Sequence, residues 1–126
     1  MTAPRIVRNE ATAEYYFDEG CHITEWLNSP ADEAASVARA RVEPGVTTRL
    51  HRLRGVTERY VILEGTGLVE VGALTPESVG PGDVVVIPPG APQRMTNTGA
   101  SDLVFLAVCT PRFTPEAYEN LDCNSE

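Results

Sequence analysis

The sequence predicts an all-β domain, a sandwich or barrel of short strands. Three observations carry that prediction. Alternating or apolar runs of four to eight residues recur along the chain, ten glycines and ten prolines punctuate them, and no stretch sustains the apolar period of a helix. At 126 residues the chain is one domain, long enough to bury a core and too short for two.

Taken in order, residues Met1–Asp18 read as a polar arm whose aromatic knot, Tyr15, Tyr16 and Phe17, packs on the barrel or on a neighbouring subunit. The barrel core spans about 22–110, and 111–126 is an acidic tail. His22–Leu27 is the first core strand, with His22, Thr24 and Trp26 on one face and Cys21 directed to the other. Asn28–Glu33 is turn-like, and Ser36–Val42 alternates Ala38, Ala40 and Val42 against Arg39 and Arg41, the pattern of a half-buried strand. Thr47–Leu53 and Glu58–Leu63, joined by Arg54–Gly55, are expected to pair as a hairpin. A second hairpin is expected where Tyr60–Leu63 runs through Glu64–Gly67 into Leu68–Val71. Pro76–Pro81 is loop or short strand. Val84–Ile87, a β-branched run, predicts a strand buried on both faces, and Pro88–Pro92 must turn. Gln93–Thr96 resumes, Asn97–Asp102 turns, and Leu103–Val108 is a last buried strand. A short helix over Pro115–Leu121, capped by Thr114, completes the expectation.

Composition removes several classes of function. A net charge of −8 leaves no basic stripe for nucleic acid. All ten basic residues are arginine, so a Schiff-base lysine or a phosphate loop that needs lysine is absent. Cys21, Cys109 and Cys123 are scattered and form no C-x-x-C pair. With no apolar leader or membrane-length run, a cytoplasmic setting is the simplest reading. Two histidines, His22 and His51, rule out any site that needs three from one chain.

The stretch Pro44–Gly65 concentrates the chemistry. On alternating strands His51 shares a face with Arg49 and Leu53, while Glu58 shares one with Tyr60 and Ile62. An imidazole and a carboxylate aimed into one interior begin a metal site or an acid–base pair. Around them lie two spaced motifs. Gly45, His51, Leu53, Glu58 and Gly65 follow the pattern glycine, five residues, His-x-His, three or four residues, Glu, six residues, glycine. Gly82, Pro88, Gly90, Gln93 and Asn97 follow glycine, five residues, Pro-x-Gly, two residues, His, three residues, Asn. In both the chain resembles the cupin family, over roughly its central half. The resemblance implies a jelly-roll barrel (a double-stranded β-helix) and a divalent metal held by three histidines and a glutamate. Here Leu53 and Gln93 occupy two of the histidine positions.

What the resemblance implies for a metal is therefore a reduced set, His51, Glu58 and the amide oxygen of Gln93. Such a set suits manganese, iron, nickel or zinc, and its residual positive charge favours an anionic ligand. His22 is a further candidate ligand, and Arg49 a candidate partner for a substrate carboxylate. Met95, on the Gln93 face, reads as pocket lining. Tyr60 and Glu58 are the candidate proton-transfer residues. Two readings stand at this point. One is a metal-dependent enzyme (dioxygenase, isomerase, cyclase or decarboxylase) acting on a small oxygen-rich molecule. The other is a non-catalytic small-molecule binding module in which His51 and Glu58 face an interior without metal. A homodimer is expected from the arm's aromatic residues beside the strand that carries Trp26 and, by resemblance, from the family.

Overall fold

A computed structural model describes residues 3–10 and 13–122; Cys123, read above as part of the acidic tail, lies outside them. The all-β jelly-roll expectation holds. Eleven strands form two antiparallel sheets: β1 Tyr15–Phe17, β2 Cys21–Leu27, β3 Ser36–Val42, β4 His51–Leu53, β5 Thr57–Glu64, β6 Gly67–Val71, β7 Glu77–Val79, β8 Val84–Ile87, β9 Gln93–Asn97, β10 Leu103–Thr110 and β11 Tyr118–Asn120. One sheet runs β1-β2-β3-β10-β5-β8 and the other β11-β4-β9-β6-β7. Their inner faces close on a core that includes Ile62, Ile87, Met95, Leu103, Val42 and Val69. Each such side chain contributes about 1.5–3 kcal/mol on burial. A second, smaller cluster joins Leu53, Val56, Cys109 and Ala117.

Both expected hairpins are corrected. β4 and β5 lie in opposite sheets, because β4 pairs with β9 and β11 while β5 pairs with β10 and β8. Both hydrogen-bonding edges of each strand are therefore taken. The chain crosses from sheet to sheet at Arg54–Val56, with Gly55 at φ +74°. β5 and β6 part in the same way at Gly65. The consequence for the site is direct: His51 and Glu58 face each other across the sandwich rather than along one ladder.

Two further expectations fail for identifiable reasons. β8 is an edge strand with Val85 and Ile87 inward and Val84 and Val86 exposed, so its β-branched run is half-buried, not buried on both faces. The C-terminal helix is absent. Only a 3-10 turn forms at Pro115–Ala117, Thr114 makes no side-chain cap, and Tyr118–Asn120 pairs with β4. Seven residues are too few for a helix without tertiary support, whereas the edge of β4 offers a ready ladder. In the arm, Tyr15–Phe17 pairs with β2 of the same chain, Phe17 reaches the core, and Tyr15 and Tyr16 stay exposed.

Motif residues without chemistry have structural work. Asn97 is buried and donates to the carbonyls of Val42 and Ser101, while its side-chain oxygen accepts from the Gly99 amide. That ties down the loop before β10.

Candidate functional site

The strand register brings the site together from both sheets. His51 on β4 lies opposite Gln93 on β9, and Glu58 on β5 lies opposite Cys109 on β10. Residues directly opposite on a sheet share a face. His51, Glu58, Tyr60, Leu53, Cys21 and Cys109 all border one inner cavity of about 100 Å³, room for about three waters. The cavity leads to an outer vestibule of about 790 Å³, and Glu19, Phe17 and Tyr118 line both.

His51 is 2 % exposed, and its Nδ1 lies 2.9 Å from the backbone carbonyl of Arg49. A carbonyl only accepts, so Nδ1 carries the proton; burial disfavours the imidazolium and holds the His51 pKa below its usual value. The neutral ring therefore keeps its lone pair on Nε2. That nitrogen stands 3.7 Å from Glu19 Oε1. The ring of Tyr118 stacks on His51 at 5.0 Å, with Phe17 edge-on to Tyr118 at 5.5 Å.

Two carboxyls share this interior. Burial pushes Glu58 up to about 7, with the Gln93 amide and the Cys109 thiol pulling weakly the other way. Burial, then the charge of Glu58, pushes Glu19 up to about 8. The Cys21 thiol lies 3.8 Å from Glu19 Oε2, and burial drives that thiol far above its usual range. Cys109 is pushed up to about 12, chiefly by burial. Neither cysteine is thiolate at neutral pH, so neither is a nucleophile here.

The raised carboxyls make stability depend on pH. Between the ordinary value of 4.5 and about 8, the folded protein keeps a Glu19 proton that the unfolded chain has lost. The associated stability is complete below 4.5 and is lost as pH rises to about 8. Glu19→Gln cannot ionise, so relative to wild type it should gain about 4 kcal/mol between pH 5 and 8.5. Urea unfolding across that range measures it; parallel pH profiles for the two proteins would refute the buried carboxyl.

The structure separates the sequence candidates. His51, Glu58 and Tyr60 meet at the cavity, and Gln93 adjoins it. Tyr60 donates its hydroxyl proton to Gln93 Oε1, and burial raises its pKa well above the usual value, so that proton is engaged. His22 faces outward, 3.0 Å from Glu43 Oε2 and edge-on to Tyr16, and it is Cys21 that turns inward. His22 as an extra ligand is thereby corrected by strand alternation. Arg49 lies before β4 and lines the vestibule, with Nε donating to the Asp18 carbonyl. Met95 packs in the main core rather than on the cavity.

Glu19 and Tyr118 were not legible as site residues. Glu19 sits in the β1–β2 turn, where its carbonyl accepts from the Arg49 amide at 2.7 Å. Its distance in sequence from His51 hid the contact. Tyr118 fell in the segment expected to be helical, though its alternation with Asn120 carried a strand signal.

Tested as a cation site, the donor set does not fit. Leu53 offers no donor, and the oxygen of Gln93 is committed to Tyr60. Among the described residues no group of three or more His, Cys, Asp and Glu is arranged to hold a metal ion.

The family model for the cupin domain matches residues 38–109. An uncharacterized protein of Methanocaldococcus jannaschii, MJ1618, is 37% identical over 126 residues, covering 97% of this chain and 100% of its own. An oxalate-binding protein of Thermotoga maritima is 37% identical over 78 residues, 61% of this chain and 63% of its own. Among solved structures, the nucleoside dehydratase Pac13 of Streptomyces superposes with a TM-score of 0.76 at 15% identity, over 93% of this chain and 92% of its own. An oxalate decarboxylase of Lactobacillus farciminis, in a formate complex, gives 0.74 at 23% identity; the match covers 86% of this chain and a third, 33%, of the decarboxylase. At these identities the structural matches speak for the fold alone.

Proposed function

Because the chain belongs to the cupin family, we propose that it binds a small oxygen-bearing molecule inside the barrel and moves a proton on it with its own side chains. The observation that carries this reading is the tautomer of His51. Its Nδ1–H is held by the Arg49 carbonyl, which leaves a basic Nε2 beside the cavity. Glu58 supplies the complement. It is a buried carboxyl pushed up to about 7, and its Oε1 is without a hydrogen-bond partner among the described residues.

The chemistry these groups supply is enolisation. His51 Nε2 takes a hydrogen from the carbon beside a carbonyl, the C–H pair moves into the new C=C bond, and the carbonyl oxygen takes the Glu58 proton. Return of the protons to different positions leaves an isomer and restores both side chains. Glu58, pushed up to about 7, gives up and regains its proton cheaply near neutral pH. The metal-dependent activity expected from the resemblance is not part of this proposal, since of the expected set His51, Glu58 and Gln93 only the first two keep free ligating atoms. Oxalate binding, named for the Thermotoga relative, supports a ligand of this size and oxygen content.

Proton–deuterium exchange tests the proposal without knowledge of the natural substrate. Small ketones such as dihydroxyacetone and levulinate are incubated with the protein in D2O and followed by proton NMR. At least one should exchange its α-hydrogens above the buffer rate, and His51→Ala should lose roughly 100-fold of that rate. A purely binding module instead predicts shifted cavity resonances and no exchange. Exchange undiminished in His51→Ala would exclude the assigned base.

The same proposal extends to a homodimer, supported by exposed Ile6, Tyr15 and Tyr16 in and beside the arm. Light scattering after chromatography should give about twice 13.6 kDa at low micromolar concentration. A mass near 13.6 kDa would overturn the dimer.

A further inference from the structure

Charge is sorted along the path from the mouth to the floor of the barrel. The inner cavity is bordered by Glu19, Glu25 and Glu58 and by no arginine. The vestibule that leads into it is lined by Arg49 and Arg112. Of the other arginines on the barrel, five pair with acids, while Arg59 donates to the Thr57 carbonyl and the Thr110 hydroxyl. Arg39, Arg41, Arg52, Arg54 and Arg94 each lie against a carboxylate. Arg49 and Arg112 have no carboxylate partner among the described residues, in a chain of eighteen acids and ten arginines.

Each vestibule arginine is nevertheless held in place. Arg49 Nε donates to the Asp18 carbonyl at 3.0 Å, and its two terminal nitrogens have no hydrogen-bond partner among the described residues. One terminal nitrogen of Arg112 donates to Asn28 Oδ1 at 2.8 Å, and the Asn28 amide is in turn tied to the Phe113 carbonyl at 3.0 Å. Arg112 Nε is buried and without a hydrogen-bond partner among the described residues. A buried donor left unpaired is uncommon enough to need an account. A guanidinium anchored through one N–H presents the rest of its planar fork ready-made to a carboxylate or phosphate. Asp18, Glu25 and Glu116 also line this vestibule, but they are exposed. Water and salt screen them more than the half-buried arginines.

We propose that the barrel takes a molecule with two unlike ends, an anionic carboxylate or phosphate gripped at the mouth by Arg49 and Arg112 and an uncharged oxygen-bearing end seated against His51. A second negative charge at the inner end is disfavoured, because no arginine lines the inner cavity beside Glu19 and Glu58. Glu19 and Tyr118 border both spaces, so the two adjoin and one molecule can reach from one to the other past these side chains. The inner space of about 100 Å³ limits the uncharged end to a few heavy atoms. This inference rests on the cavity reading above, naming the class of molecule that reading left open.

Matched pairs test it on the full chain: levulinate against methyl levulinate, and dihydroxyacetone phosphate against dihydroxyacetone. Each is titrated by amide and side-chain NMR, following His51 and Tyr118 at the floor and the arginine Nε signals at the mouth. The anion of a pair should bind roughly tenfold tighter than its neutral twin and shift both ends of the path. The pair with the larger ratio identifies the carboxylate or the phosphate as the preferred anion. Arg49→Gln with Arg112→Gln should level each pair, and the matching double lysine variant, which keeps charge without the fork, should fall between. Equal affinity of anion and neutral twin, with His51 and Tyr118 still shifting, would overturn the arginine grip alone. No shift at His51 or Tyr118 with any of the four would overturn the cavity reading and this inference with it.

Discussion

A protein carrying Leu53→His and Gln93→His together should purify with roughly one equivalent of divalent metal, where the parent carries far less. Leu53 borders the cavity beside His51, and Gln93 lies directly across the ladder from it. Two added imidazoles would join His51 and Glu58 in a set of three nitrogens and one carboxylate oxygen. The parent lacks that set because leucine has no donor and the Gln93 oxygen accepts from Tyr60. Elemental analysis of untagged protein and a manganese titration by calorimetry measure the gain. Stoichiometric metal in the parent, lost in His51→Ala, would reverse the metal-free reading. A folded double variant that stays metal-free would mean that these side chains do not converge.

Gly65→Ala should destabilise the fold by about 3 kcal/mol or more, while Gly82→Ala should cost only about 1. Both glycines take positive φ, +83° and +93°, so both substitutions bear the left-handed backbone strain. Only Gly65 adds a collision, because a Cβ there would stand 2.6 Å from the Asp102 carbonyl oxygen and 3.0 Å from Leu103 Cα. Those are backbone atoms that cannot swing aside, whereas Gly82 has nothing within 4 Å. Guanidinium unfolding of the two variants separates strain from collision; equal losses would show that the crossover between the sheets is not packed this closely.

The contrast between those glycines illustrates what was legible. Both stand at motif positions and read alike as turn residues. Only the packing of the 102–103 backbone against the β5–β6 crossover makes one of them intolerant. The hairpin expectations failed for a related reason. Alternation in Thr47–Leu53 and Glu58–Leu63 reports which side chains share a face, and it paired His51 with Leu53 and Glu58 with Tyr60 correctly, whereas Arg49 lies before β4. It does not report which strand lies alongside, since any strand with a free edge satisfies the same backbone groups.

From the sequence alone came the all-β class, the two spaced motifs, the inward placing of His51 and Glu58, and the loss of two histidine positions to Leu53 and Gln93. These are properties of local period and residue type, which a chain carries wherever it folds. Tertiary structure decided the rest. It set His51 and Glu58 in opposite sheets, turned Cys21 inward and His22 outward, and laid Tyr118 on the imidazole by pairing β11 with β4. It also brought Glu19 to 3.7 Å from His51 Nε2. No local pattern encodes that contact, because it depends on where the β1–β2 turn lands once both sheets have closed. The same closure removes water from the two carboxyls and the imidazole, and that desolvation sets their chemistry.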